Sequence, residues 1–308
     1  MVASQYILPL VAISRGDFCR GAPCERAELA SRVVREFEDN RCLLVGDAIP
    51  RPVTRRFHAL LRRLFALPAE EKLAYMATDP LDLGFGAYGS EHALDTGIAN
   101  LLESWDVSLT APTRWPATML DDWAFLVELH EHLNRLVVDV LAALAVGLQV
   151  APKELLTLLE RRPGRIHLIH YPPMPDSVDT LARRQSKHCD MSIVTLLTPP
   201  TGPGLQACNA DGRFLPVEIG EDQCLIQAGL YLERLTGDRL RASRHTVETP
   251  STEENSERYA SPLFFSPPPD EHVSVLRPFQ STTMLEKYPT LPAREISADY
   301  FKKLSGER

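Results

Sequence analysis

The first half of the chain carries apolar residues at helical spacing. In "CERAELASRVVREFEDN" four apolar residues fall on one face of a helix, and charged residues fall opposite. The stretch "PVTRRFHALLRRLFALPAEEKLAYM" has a similar pattern with a break expected at Pro68, and a long helix is predicted after Pro116. Short strands are predicted at "YILPLVAIS" and "CLLVGD", within a helix-rich part over residues 1–160. The core-facing residues expected in the first two helices are Ala30, Val33, Val34, Phe37, Phe57, Leu60, Leu61 and Leu64.

From about residue 164 the pattern changes to short strands separated by turns. "RIHLIHYPP" and "MSIVTLLTPP" each end at a proline pair, and Asp211-Gly212 in "NADGRFLPV" is a hairpin signal. "QCLIQAG", "LRASRHTVETP" and "RYASPLFFSPP" predict further strands. Many short strands are typical of a jelly roll, and helices on both sides give an α+β class. We expect one domain over 1–308, with the jelly-roll core at 161–280 and a C-terminal helix at 281–308.

Composition narrows the class of protein. The formal charge of −8 argues against a nucleic-acid or anionic-membrane partner, because both usually require a basic surface. No apolar run approaches the ~18 residues of a membrane span, and no secretion signal is expected from the residues at the N-terminus. The cysteines have no CxxC spacing, which indicates reduced thiols in the cytoplasm. They are Cys19, Cys24, Cys42, Cys189, Cys208 and Cys224.

A candidate metal site begins at "KHCDMSIV". On a strand, residues two positions apart share a face, so His188 and Asp190 are expected to point the same way. His245 lies on another predicted strand. Two imidazoles and a carboxylate suit one face of an octahedral Fe(II) and leave the other three positions open. The alternative interpretation is two core histidines beside a buried ion pair.

Arg258 is the candidate for binding a carboxylate. It lies on the predicted strand "ERYASPLFF", and a planar guanidinium can donate two parallel hydrogen bonds to a carboxylate. The alternative is an ordinary surface arginine on a strand.

The ordered set "LIHYPP", "HCDMSIVTLL", "GLQACNADGRFLPV", "LERLTGDRLRASRHTV" and "RYASPLFF" resembles the isopenicillin N synthase-like family of non-haem iron, 2-oxoglutarate-dependent oxygenases. The resemblance extends upstream to "LLVGDAI", "LFALPAEEK" and "GFGAYGSE". It implies a double-stranded β-helix core with flanking helices. It also implies that His188, Asp190 and His245 bind Fe(II), and that Arg258 and Tyr171 bind the distal carboxylate of 2-oxoglutarate. The implied reaction uses O₂ to oxidise an unactivated C–H bond of a small molecule, with hydroxylation in natural-product biosynthesis as the default.

The chain departs from the family pattern at one position. The family usually has Arg-x-Ser, whereas this chain has Arg258-Tyr259-Ala260. Ser261 is expected to point to the other face of the strand. The lost hydrogen bond is worth at most about 1.5–3 kcal/mol, so weakened 2-oxoglutarate binding is expected rather than its absence. Two alternatives remain open: an iron oxidase catalysing desaturation, cyclisation or ring expansion without 2-oxoglutarate, and a catalytically silent binding protein.

Several other side chains are weaker candidates for the site. His167 and His170 have opposite strand parity, so one of them is expected to face the pocket, although a structural role is favoured for both and for Arg165. Phe85 and Tyr88, in "GFGAYGSE", are candidate substrate contacts from a loop over the mouth of the site.

A second histidine pair and four apolar residues are expected to serve the fold. His130 and His132 lie two positions apart on the long helix and therefore on different faces, which favours solvated or capping roles. Ordinary core positions are predicted for Ile193, Leu196, Leu205 and Phe264.

Overall fold

The computed structural model describes most of the chain. The described residues are 7–18, 22–77, 83–93, 97–159, 165–174, 183–250 and 255–304. Cys19 and the first residue of the predicted opening strand, Tyr6, lie outside them. The other five cysteines are all free thiols.

The helices of the described residues are α1 Pro23–Asn40, α2 Arg51–Phe65, α3 Ala69–Leu73, α4 Leu120–Gly147, α5 Pro152–Leu156, α6 Leu230–Leu235, α7 Thr282–Lys287 and α8 Ala293–Leu304. The helices predicted in the N-terminal part correspond to α1 through α4, whereas α5 and α6 were not predicted. The single helix expected over 281–308 is instead two helices, α7 and α8. Pro68 separates α2 from α3 as expected, and the predicted core-facing residues of α1 and α2 are all buried. Among the helices in the described residues, none combines the length and apolar character needed to cross a membrane.

Fifteen short strands make up the sheets of the described residues. They are β1 Ile13–Ser14, β2 Cys42–Gly46, β3 Gly84–Gly86, β4 Glu103–Ser108, β5 Arg165–Tyr171, β6 Gln185–His188, β7 Val194–Leu197, β8 Leu205–Cys208, β9 Phe214–Pro216, β10 Cys224–Ala228, β11 His245–Val247, β12 Arg258–Ala260, β13 Pro262–Phe265, β14 His272–Val273 and β15 Leu291–Pro292.

The strands form three main sheets around the site. One has the order β1-β2-β10-β7-β13, the second β6-β11-β8-β9 and the third β12-β5-β4-β3, while β14 and β15 form a small separate pair. Apart from the parallel pair β1 and β2, the paired strands of these sheets are antiparallel. β12 and β13 are adjacent in sequence but pair with different sheets, β12 with β5 and β13 with β7. Helices flanking these sheets confirm the α+β prediction with a double-stranded β-helix core.

Some local predictions hold and others do not. The hairpin of β8 and β9 turns through Gly212 at φ 82°, a left-handed conformation that glycine adopts at little cost. The predicted strand "YILPLVAIS" is wrong in extent, because a strand forms within its described residues only at Ile13–Ser14, which pairs with β2. β3 and β4 were not predicted, although Trp105 and Val107 alternate with polar residues along β4. Both strands come from the helix-rich part and extend the sheet that contains β5.

Candidate active site

Three side chains converge between two neighbouring strands. His188 ends β6 and His245 begins β11, and the two residues are direct partners in the antiparallel pairing. Asp190 Oδ1 lies 3.4 Å from His188 Nε2 and 3.9 Å from His245 Nε2. One ligand atom from each residue lies within 4.8 Å of the others, a spacing compatible with coordination of one metal ion.

The route by which Asp190 reaches this cluster differs from the prediction. The sequence argument placed His188 and Asp190 on one strand, but β6 ends at His188. Asp190 lies in an irregular segment after this strand, and its carbonyl accepts a hydrogen bond from the Leu230 backbone N–H at 2.9 Å. The carboxylate therefore joins the imidazoles from outside β6.

The backbone orients both imidazoles. His188 Nδ1 lies 2.8 Å from the Ser186 carbonyl, and His245 Nδ1 lies 3.1 Å from the Ser243 carbonyl. A carbonyl can only accept, so each Nδ1 carries a proton and Nε2 is the ring atom available to a metal. Burial by itself raises the pKa of Asp190, but the adjacent His245 and His188 outweigh it and hold that pKa below its ordinary range. Two imidazole Nε2 atoms and a carboxylate form a donor set that fits Fe(II).

A cavity of about 130 Å³ joins the cluster to Arg258. Arg258 is 3% exposed, and its Nε donates to the Gly202 carbonyl at 3.1 Å. Its Nη1 is buried and has no hydrogen-bond partner among the described residues. A buried unpaired guanidinium nitrogen is costly, which indicates that an anionic acceptor belongs in this cavity. The carboxylate of a small dicarboxylic acid fits that requirement.

Tyr171 lies beside Arg258 in the same cavity. The two residues are partners across β5 and β12, and the Arg258 guanidinium carbon lies 5.1 Å from the centre of the Tyr171 ring. Burial raises the pKa of the Tyr171 hydroxyl to about 12, although Arg258 opposes the rise. The phenol is therefore neutral and can donate a hydrogen bond at physiological pH.

The face assignment around Ala260 agrees with the sequence argument. Alternate residues of the segment line the small cavity, namely Arg258, Ala260, Pro262 and Phe264. Ser261 is not among the lining residues, and its buried Oγ has no partner among the described residues. The position of the family serine is thus occupied by a methyl group.

A larger cavity of about 1140 Å³ opens from the metal cluster. His167 lines it and His170 does not, as strand parity predicted. Arg165 lines it as well, so both side chains lie where a substrate could contact them, and the preference for structural roles at positions 165 and 167 stays a prediction. Phe264 was expected in the core, but it is 38% exposed and lies on the wall of both cavities.

Phe85 and Tyr88 do not line the large cavity, and the two histidines of the long helix differ from each other. Phe85 is buried on β3 with its ring 5.6 Å from that of Trp105, so its prediction as a substrate contact was wrong. Tyr88 is exposed and is not among the residues lining the large cavity. His132 contacts the Ala48 carbonyl at 2.9 Å, whereas His130 stacks on Phe265 and lines the large cavity.

Two further residues at this site escaped the sequence argument. Glu91 lies in the segment after β3 and lines both cavities, and Asp106 lies on β4 and lines the larger one. The alternation of polar and apolar residues in "ESWDVS" indicates a strand with Asp106 on its polar side, but it does not show which strand is its partner. Glu91 ends the segment "GFGAYGSE", which was expected over the mouth of the site, but the position of its side chain depends on the path of a loop.

The comparisons with known proteins agree with this architecture. A sequence profile of the 2OG-Fe(II) oxygenase superfamily matches residues 163–267. A 2-oxoglutarate-Fe(II) type oxidoreductase of Emericella nidulans is 28% identical over 304 residues, covering 91% of this chain and 86% of that protein. A proline hydroxylase of Petromyces alliaceus is 26% identical over 76% of this chain and 79% of its own length.

Solved structures share the fold. A full-length Neurospora crassa protein in complex with alpha-KG superposes with a TM-score of 0.84 at 21% identity, covering 95% of each chain. The segment matched by the family profile includes β5 through β13 and therefore both imidazoles, the carboxylate and Arg258. Residues 163–267 of the chain match the 2OG-Fe(II) oxygenase superfamily, and the chain is an iron oxygenase that uses 2-oxoglutarate and O₂.

Proposed function

We propose that His188, Asp190 and His245 hold the Fe(II), and that Arg258 binds the distal carboxylate of 2-oxoglutarate. The observation that carries this assignment is the small cavity, which has the three ligand atoms at one side and a buried, unpaired Arg258 nitrogen in its wall. Tyr171 is the second donor to that carboxylate, and it replaces the hydroxyl that Ala260 lacks.

Bound iron, 2-oxoglutarate and O₂ together supply an oxidant strong enough to attack an unactivated C–H bond. The contribution of the chain is positional. The Ser186 and Ser243 carbonyls fix the ring orientation of His188 and His245, and burial keeps water away from the charges in the small cavity. Arg258 fixes the orientation of the co-substrate, so that the larger cavity stays available for the molecule to be oxidised.

The substrate is a small molecule, and the reaction is hydroxylation in natural-product biosynthesis. Support comes from the size of the large cavity and from a relative named as a proline hydroxylase. We further assign the chain to the isopenicillin N synthase-like branch, as a single cytoplasmic domain, on the ordered motifs of its sequence.

Anaerobic reconstitution tests the metal ligands. Wild-type protein should bind one Fe(II) and, with 2-oxoglutarate, develop a visible charge-transfer band. His188→Ala should lose both, whereas His272→Ala, at an exposed histidine on β14, should retain both. Wild-type protein that stays iron-free under reducing conditions contradicts the assignment.

A second variant tests whether Arg258 binds the distal carboxylate of 2-oxoglutarate. Arg258→Gln should keep its iron but bind 2-oxoglutarate about 30- to 4000-fold more weakly, because truncating one partner of a buried charge pair costs about 2–5 kcal/mol. Circular dichroism and iron content show whether the variant is folded. Unchanged 2-oxoglutarate affinity in a folded, iron-loaded variant removes Arg258 from the site.

Ala260 favours one alternative, an oxidase of the same fold that works without 2-oxoglutarate. Desaturation, cyclisation or ring expansion would then be the outcome. Succinate formed in proportion to substrate consumed supports the dioxygenase, whereas substrate oxidation without 2-oxoglutarate supports the oxidase.

A further inference from the structure

A polar cluster on the wall of the large cavity is not used by the metal or the co-substrate. It consists of Asp106 on β4, Arg165 and His167 on β5, and Glu91 in the segment after β3. Glu91 and His167 also line the small cavity together with the metal ligands. The cluster therefore lies at the junction of the two cavities, beside the place where oxidation would occur.

Asp106 fixes the imidazole of His167. The buried Asp106 Oδ1 accepts from His167 Nδ1 at 3.0 Å and from Arg165 Nε at 2.7 Å. Asp106 and His167 are also direct partners in the pairing of β4 with β5, so the backbone holds the contact in register. The other nitrogen, Nε2, points towards Glu91 and the cavity.

Glu91 and His167 do not satisfy each other. His167 Nε2 lies 3.8 Å from Glu91 Oε1, which is too long for a hydrogen bond, and Glu91 Oε1 accepts instead from Ser104 Oγ at 2.9 Å. Carboxylates beside both ring nitrogens favour the imidazolium, and although burial lowers the pKa of His167, Asp106 and Glu91 raise it overall. The cavity thus presents an N–H donor and a carboxylate acceptor side by side.

The cluster is electrically balanced. The positive Arg165 and His167 are matched by the negative Asp106 and Glu91. An anionic substrate would meet the Glu91 carboxylate, and a cationic one would meet the imidazolium. A neutral group that accepts one hydrogen bond and donates another, such as an alcohol or the N–H and C=O edge of a lactam, satisfies both partners.

We propose that His167 and Glu91 are specificity-determining residues that bind a neutral donor–acceptor group of the substrate, with Asp106 as a positioning residue. The aromatic and aliphatic wall formed by Met191, Leu263 and Phe264 accommodates the apolar part of the same molecule. This inference rests on the proposed function, because the metal cluster defines where the substrate is oxidised.

A matched set of probes tests the substrate class. The probes share one bicyclic frame: tetralin, its alcohol, its amine, its carboxylate, and the lactam dihydroquinolinone. Equilibrium dialysis is carried out under argon against protein loaded with Fe(II) and 2-oxoglutarate. The alcohol and the lactam should bind at least tenfold more tightly than the other three probes. Tighter binding of the carboxylate or the amine, equal binding of tetralin, or no binding of any probe overturns the proposal.

Variants locate the contact. His167→Leu and Glu91→Met should each reduce the preference for the alcohol over tetralin to less than threefold, and the control His272→Leu should preserve it. Iron and 2-oxoglutarate retained in the same dialysis cell are measured in parallel. Loss of either from wild-type protein means that the proposed function fails, whereas their retention without a probe preference means that only this inference fails.

The positioning role of Asp106 has a separate readout. Alcohol binding by the wild type should weaken as the pH rises and His167 loses its proton. In Asp106→Asn this weakening should begin at a lower pH, and Asp106→Glu should restore the wild-type profile. A purely structural role for Asp106 predicts weaker binding with an unchanged pH profile, and that result would remove the positioning role.

Discussion

The two faces of the β4 and β5 pair carry the same chemistry in different surroundings. On one face Asp106 meets His167 at 3.0 Å, and on the other Glu103 meets His170 at 2.8 Å. Both pairs are direct partners across the same two antiparallel strands. The Asp106 pair lies on the wall of the large cavity, whereas neither Glu103 nor His170 is among the residues lining the two cavities.

The Glu103–His170 pair is surrounded by further polar and aromatic contacts. Lys72 Nζ donates to Glu103 at 2.8 Å, with the two side chains only 12% and 9% exposed. His170 stacks on Tyr259 with ring centres 4.5 Å apart. One carboxylate–imidazole pair thus stabilises the fold, and the other is available to a ligand. Strand parity and the packing around each pair, rather than residue type, separate the two roles.

The largest loss of stability should follow from a substitution in the Glu103–His170 pair. Glu103→Gln leaves the Lys72 ammonium buried without its counter-charge, and the free energy of unfolding should fall by about 3–5 kcal/mol. Urea unfolding measures the loss, with Glu70→Gln on α3, at an exposed residue, as the control. Iron bound per folded molecule should not change. A loss below about 1 kcal/mol would remove the distinction between the two faces.

Asp106→Asn should cost less. Arg165 is 33% exposed and can turn to water, so only the hydrogen bonds to a charged group are lost, about 1.5–3 kcal/mol. The same unfolding measurement applies, with Asp211→Asn as the exposed control. A cost equal to that of Glu103→Gln would show that both pairs serve mainly the fold.

The pH dependence of stability should further distinguish the Asp106–His167 pair from the Glu103–His170 pair. Burial raises the pKa of Asp106, but His167 and Arg165 outweigh it and lower that pKa from 3.8 to about 2. The stabilisation is therefore present above pH 3.8 and lost as the pH falls through 2. The pKa of His167 is raised above 6.5 in the folded protein. Its contribution to stability is therefore complete below pH 6.5 and is lost as the pH rises through the pKa of the folded state.

The directions of these two pKa shifts predict how the stability of the variants should depend on pH. The stability gap between wild type and Asp106→Asn should be widest between about pH 4 and 6.5 and should narrow at alkaline pH. The gap for Glu103→Gln should narrow less, because the ammonium group that contacts Glu103 is only 12% exposed, whereas the guanidinium that contacts Asp106 is 33% exposed. Urea unfolding at acidic, neutral and alkaline pH checks both, and parallel profiles for the two variants contradict the assignment.

The smallest effects should come from the neighbours Ala260 and Ser261. Ala260→Ser adds a hydroxyl to the small cavity and should tighten 2-oxoglutarate binding by up to about tenfold. Ser261→Ala removes a buried hydroxyl that has no partner among the described residues, so stability should change by less than about 0.5 kcal/mol. Titration calorimetry and urea unfolding measure the two. Weaker co-substrate binding in Ser261→Ala would place that hydroxyl in the small cavity and reverse the face assignment.

The sequence predicts one side of the site far better than the other. His188, His245 and Arg258 lie on strands whose parity and motif order are visible in the chain. Asp106 reaches the cavity through the pairing of β4 with β5, whose strands are far apart in sequence, and a single sequence does not encode that register in any local pattern. Glu91 depends on the path of a loop, which has no periodicity.

The change of sheet between β12 and β13 has a consequence for how the enzyme can diversify. The consecutive strands β12 and β13 carry Arg258, which we propose binds the co-substrate, at the start of β12 and Phe264, on the wall of the large cavity, within β13. Reshaping that aromatic wall would therefore disturb the binding of the co-substrate. Substitutions in α8 should change the substrate preference with less effect on co-substrate binding. Ser297 and Tyr300 of this helix line the large cavity, and the helix does not contain Arg258.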